Sequence, residues 1–174
     1  MIQTLVNVVL LNVGWFSCVL GAAAGLPWIG PVVVAGVVAV HVATVREKHR
    51  TFTLLAAAAA FGYVVDSALV LGGAMSFGDA ARLGGPSPLW MVALWVNLAT
   101  AMHVSLGWLC GRPVVAMLIG GIGGPLAYIA GARLGAITFG SDRVVSLAAI
   151  AVAWMFAMPV MALLGRATAA KVAS

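Results

Sequence analysis

Charge is what this chain has least of. Only 7% of its 174 residues are charged, four acids against nine lysines and arginines, where an ordinary globular domain carries roughly a quarter. A water-soluble fold needs polar side chains on the outer face of its elements. Helices that are apolar all round belong to a deep core or to lipid, and a domain this small has too little interior to hide so much apolar surface. Cysteine is scarce too. Cys18 and Cys110 both lie in apolar runs, where a thiol acts as a small hydrophobe, so neither a disulfide nor a redox role is expected. Catalytic signatures are missing: there is no Gly-rich phosphate loop with Lys, no GxSxG, no HExxH and no His-rich cluster. The classical hydrolase and nucleotide chemistries are unsupported, and no cofactor and no metal are expected.

What the chain has in abundance is apolar length. Hydrophobic residues make up 64% of it, in runs from Thr4 to Ala24, Trp28 to Val45, Phe52 to Ala74, Pro88 to Cys110, Pro113 to Gly135 and Val144 to Leu164. A transmembrane helix needs about 20 apolar residues. The expected fold is therefore all-α, a polytopic transmembrane helical bundle of about six spans forming a single integral membrane domain over residues 1–174. The first run lacks a basic leading segment and is read as a retained span rather than a secretory signal. The second is short, with Pro27 and Pro31 suited to a first helical turn and Trp28 to an interface.

The net charge of +5 does not point to nucleic acid, because the basic residues sit at the ends of apolar runs. Arg46, Lys48, Arg50, Arg112, Arg166 and Lys171 fall on one side of a six-span layout; Arg82, Arg133 and Arg143 fall on the other, with Asp79 and Asp142 nearby. The positive-inside rule then places both termini in the cytoplasm. Three spans on either side of the Gly- and Pro-containing stretch from Ser76 to Ser87 would allow a 3+3 inverted repeat, as in small transporters, although the halves share little beyond Asn12 with Trp15 against Asn97 with Trp108. Span five has small residues at fourfold spacing, Gly120 with Gly124 and a row of Gly123, Ala127, Gly131 and Gly135. Such residues permit close helix contact and predict a central position in the bundle.

Polar residues inside the spans are the candidate site. A charged group in hydrocarbon needs a partner or a water-filled cavity. Asp66 in span three is the sharpest case, with Arg133 as its candidate cation, although their depths differ by roughly 9 Å at 1.5 Å per residue. In span four Asn97, Thr100 and Trp108 share a helix side that faces protein, and Asn12 lies at a similar depth, so amide pairing of Asn12 with Asn97 is the simplest account. Trp15, Trp95 and Trp154 lie well inside spans, where they fill gaps or line a cavity for an apolar chain. His41 and His103 both fall toward the cytoplasmic ends of their spans. One His per helix does not make a haem site, and a hydrogen-bonded or proton-exchanging role is expected instead.

Several segments together resemble a known family: Leu11 to Gly21 (LNVGWFSCVLG), Pro27-Trp28, Asp66-Ser67, Pro88-Leu89-Trp90 through Trp108, and Gly123-Gly124-Pro125-Leu126-Ala127-Tyr128 through Arg133-Leu134-Gly135-Ala136. The chain is similar to the bacterial inner-membrane family catalogued as domain of unknown function twenty-eight seventy-eight. The resemblance implies class and location, an inner membrane in bacteria, but no activity. It also implies Asn as a frequent residue at position 103, which weakens any role centred on His103, and it suggests an envelope-lipid setting beside enzymes that modify membrane fatty acids.

Three functional readings follow. The first is a lipid-linked membrane protein that binds or presents an acyl substrate or supports a membrane enzyme. The second is a small secondary transporter using Asp66 as its coupling acid. The third is a membrane-embedded enzyme with a pocket near Asp66, Tyr128 and Arg133. Asp66, Asn97, Tyr128, Arg133, Asn12 and Trp95 are the candidate substrate-binding residues. Membrane lipid is the expected partner, with room for a membrane protein partner or a homo-oligomer.

Overall fold

A computed structural model describes residues 1–79 and 82–169 of the chain. Lys171, which entered the sidedness argument, lies outside the described residues. The fold is an all-α bundle of α1 (Ile2–Ala23), α2 (Ile29–Thr44), α3 (Lys48–Leu71), α4 (Leu89–Met102), α5 (Pro113–Arg133) and α6 (Arg143–Thr168). Two short strands, β1 (Met75–Ser76) and β2 (Thr138–Phe139), follow α3 and α5 and pair antiparallel, pinning the two loops together at one end.

Local sequence sets the helix starts. Pro113 opens α5 at a position where its missing N–H costs nothing. Asp142 caps α6, its Oδ1 accepting from Val144 N at 2.8 Å and Val145 N at 3.1 Å. Four helices, α1, α3, α5 and α6, are long and apolar enough to cross a membrane. α2 and α4 have 16 and 14 residues, or about 24 and 21 Å at 1.5 Å per residue, short of the roughly 30 Å of a hydrocarbon core.

Two sequence expectations need correction. The fourth run does not form one helix to Cys110. α4 stops at Met102, and a non-helical turn leads to a 3-10 turn at Gly107–Leu109. The helical phase that grouped Trp108 with Asn97 and Thr100 is thereby broken: Asn97 and Thr100 are buried, while Trp108 is half-exposed against Arg112. Secondly, the central helix is α4 and not α5. α4 packs on α1, α2, α3 and α6, whereas α5 packs chiefly on α6. The small residues of α5 do serve close approach, because a side chain at Gly120 would strike the Trp154 carbonyl and Met158, and one at Gly124 would strike the Trp154 ring. They recruit one neighbour, and that is not enough to centre a helix. The possible 3+3 repeat is not confirmed: α1 packs on α2 and α5 on α6, while α4 hardly meets α5 and α2 hardly meets α3.

The outside of the bundle is apolar. Val64, Ile122, Val144 and Phe156 are each more than 60% exposed, on faces that water would not wet without penalty. Arg50 Nη1 donates to Ala169 O at 2.8 Å and so joins the start of α3 to the end of α6.

The α5–α6 contact generates a stability prediction. Gly120→Leu should lower the stability of the detergent-solubilised protein by about 1–3 kcal/mol, the usual penalty of overpacking. Gly36→Leu, where a new Cβ meets nothing, should lie within about 0.5 kcal/mol of the parent. Thermal unfolding followed by circular dichroism measures both, and coincident melting of the two variants would contradict the packing described.

Candidate functional site

The deepest polar group in the bundle is Asp66 on α3, fully buried. Each of its carboxyl oxygens accepts one hydrogen bond: Oδ1 from the Tyr128 hydroxyl of α5, and Oδ2 from Trp95 Nε1 of α4 at 2.7 Å. The proposed partner Arg133 is not involved. It is exposed at the end of α5, and among the described residues no cation pairs with Asp66. The depth mismatch between Asp66 and Arg133 accounts for this, since Tyr128 sits more than a helical turn deeper and reaches Asp66 directly.

An aromatic group surrounds this junction. Trp95 stacks on Trp154 with ring centres 4.8 Å apart and planes 14° from parallel, and Phe61 meets the Trp95 ring edge-on at 5.8 Å. Trp95 seats on α3 at Gly62, where any Cβ would collide with its ring. Trp154 Nε1 is buried and makes no well-formed hydrogen bond.

The expected Asn12–Asn97 amide pair does not form. Asn12 Nδ2 turns back to Val8 O of its own helix at 2.8 Å, and Asn97 Nδ2 donates to the backbone Leu11 O at 2.8 Å. The reason is Gly14, which has no side chain to hold α4 away. A Cβ there would lie 2.5 Å from Asn97 Nδ2, so Asn97 comes close enough to use the second lone pair of a helix carbonyl. Its Oδ1 is left buried with no partner, a deficit worth about 1–3 kcal/mol.

These residues meet at a groove of about 450 Å³, within the range of small-molecule sites. α1 forms one wall with Asn12, Trp15 and Phe16. α5 forms the other with Gly123, Ala127 and Tyr128. The floor is α4, through Trp90, Trp95 and Asn97, with Trp154 of α6 behind. α1 and α5 have little direct packing against one another, and the groove between them is open along its side. Among the described residues no Lys, Arg, His, Asp or Glu lines it. Of the sequence candidates, Asn12, Trp95, Asn97 and Tyr128 line the groove together; Asp66 lies behind its wall, and Arg133 lies outside it.

The profile of the family described as Protein of unknown function (DUF2878) matches residues 4–160. The chain belongs to that family. No curated protein and no solved structure matches it significantly.

Sequence reasoning missed Asn7, the residue that makes the early end of α4 tolerable. Its Oδ1 accepts from Ser105 Oγ at 2.6 Å and its Nδ2 donates to Thr100 O at 3.3 Å, so a side chain of α1 caps the broken end of α4. An amide among Leu5, Val6, Val8 and Val9 was the available signal. At the basic end a second cavity of about 410 Å³ is lined in part by Arg46, Glu47, His103 and Thr168. His103 Nε2 lies 3.0 Å from both Gly165 O and Thr168 Oγ1. A carbonyl only accepts, so this nitrogen is the donor and is already engaged. Among the described residues no three His, Cys, Asp or Glu side chains gather as a metal set.

The junction predicts coupling. Tyr128→Phe removes one donor from a buried carboxyl and should destabilise the protein by about 1–3 kcal/mol. In a double-mutant cycle with Asp66→Ala, the loss from Tyr128→Phe should largely vanish. Additive effects in chemical denaturation would show that the two side chains do not depend on one another.

Proposed function

We propose that this chain is an integral membrane protein that binds one lipid acyl chain in the groove between α1 and α5, presenting it to a membrane enzyme or supporting such an enzyme. The observation behind this reading is the groove itself, open at the side, walled by aromatic and aliphatic groups and free of lining charge. From Val19, Trp90 and Gly131 to Leu11, Leu98 and Gly123 it follows each of three helices for eight residues, about 12 Å at 1.5 Å per residue, most of one leaflet of a roughly 30 Å core. An aqueous solute would find almost nothing to replace its hydration there. A lipid tail loses nothing by entering.

The setting supports the same reading. The exposed apolar helix faces suit lipid as solvent, and Arg46, Arg50, Arg112 and Arg166 at helix ends fit an inner membrane of a bacterium with both termini cytoplasmic. The transporter and enzyme readings have less behind them. Asp66 is sealed behind Trp95 and Tyr128, both oxygens are engaged, and Arg133 is remote from either.

Gly123 offers the test, because a Cβ added there meets no atom while the position lines the groove. Purified protein should retain about one acyl lipid per chain through gel filtration, measured by mass spectrometry of the extract. Gly123→Phe should fill the groove and cut retention at least fivefold without lowering the melting temperature. Equal retention by parent and variant would refute the groove as the binding site.

A further inference from the structure

The cavity of about 410 Å³ at the basic end opens between the start of α3, the broken end of α4 and the end of α6. Its lining is polar where the groove's is not. Two of these helices, α3 and α6, are long and apolar enough to cross a membrane, and the cavity stands where one begins and the other stops. That is the depth of lipid headgroups.

The lining divides by chemistry into one cation and a set of acceptors. Arg46 is exposed and lines the cavity; among the described residues it has no ion pair, because Glu47 meets Arg50 at 3.7 Å instead. A free guanidinium fits a phosphate. The acceptors begin with His103, which donates from Nε2 to Gly165 O, so that in the neutral ring Nδ1 is a bare lone pair. Nδ1 meets no partner among the described residues and is not sealed from solvent. Thr168, partly exposed, spends its hydroxyl hydrogen on Leu164 O at 2.7 Å and can only accept from the cavity. Glu47 adds a carboxylate, and α4 and α6 are capped at His103 and Ala169, both on the lining, which brings the negative ends of two helix dipoles to the same place. These groups suit a cation with several N–H donors.

We infer that this cavity holds the headgroup of an ethanolamine phospholipid, its phosphate on Arg46 and its ammonium among Glu47, His103 Nδ1 and the end of α6. The site is separate from the acyl groove between α1 and α5 and shares with that reading only the membrane. A choline headgroup has the positive charge but no N–H to donate. A glycerol headgroup has donors but leaves the lipid a net anion, which the carboxylate and the two helix ends oppose.

The probes are phosphatidylethanolamine, phosphatidylglycerol and phosphatidylcholine with identical chains, offered together in equal amounts to the detergent-solubilised protein. Lipid retained through gel filtration is quantified by mass spectrometry. The ethanolamine lipid should be enriched at least fivefold over each of the others. Arg46→Gln, a change at an exposed side chain, should remove that enrichment without lowering the melting temperature, whereas Gly123→Phe should cut total retention and leave the enrichment in what remains. Equal retention of the three lipids, preference for the glycerol lipid, or enrichment that survives Arg46→Gln overturns the inference and leaves the groove reading standing. Free phosphoethanolamine at the lipid's concentration should not displace the lipid; displacement would assign the cavity to a soluble phosphate ester and overturn the lipid as its source.

Discussion

Everything about the groove depends on the carboxyl of Asp66. α5 packs on α6 and has little direct packing with α3 or α4, yet it stands at a fixed distance across from them. The side chain that spans the gap is Tyr128, held to Asp66 on α3, while Trp95 of α4 takes the other oxygen. Three helices are thus tied at one buried point. Hydrogen bonding is well suited to this in an apolar bundle, where association of greasy surfaces gains little and a polar contact supplies both attraction and register. With two donors converging on it, the carboxyl is satisfied on both oxygens.

A second constraint is that backbone polar groups inside such a bundle must find partners within the protein. α4 ends early, and its last carbonyls would be exposed to apolar surroundings if nothing met them. Asn7 of α1, which donates to Thr100 O and is itself held by Ser105, and the thiol of Cys110, which lies 3.4 Å from Met102 O, provide those partners. α4 packs on α1, α2, α3 and α6, and only its face toward the groove is left without a helix against it. Three of the helices packed on it, α1, α3 and α6, are long and apolar enough to cross a membrane where α4 is not.

The class of fold was readable from composition and run length, since 64% hydrophobic residues in six blocks admit few other arrangements. The polar residues worth attention were readable as well, because polar groups in apolar runs are costly anywhere. Their partners were not. Arg133 was the obvious cation for Asp66 by charge, but the side chain at the right depth was a tyrosine. Asn12 and Asn97 matched in type and depth, but each found a backbone carbonyl, which every sequence position carries and none advertises. The end of α4 at Met102 was equally silent: Val104, Ser105 and Leu106 read as continuing the span, and the groups freed there are met by Asn7 on a different helix. Small residues at fourfold spacing did report close packing, but one face of α5 against α6 satisfies that pattern wherever the pair sits in the bundle.

Trp95 and Tyr128 belong to both systems, since each donates to Asp66 and each lines the groove. The wall against which an apolar chain would lie is therefore the same set of side chains that fixes α5 relative to α3 and α4. An occupant of the groove would press on groups that the buried carboxyl already holds from behind, so a site there would be preorganised, with little ordering left for binding to supply. By mass action, anything that binds only the folded form adds to its stability. In this architecture that gain would be felt across the α5 junction, where direct helix packing is thinnest.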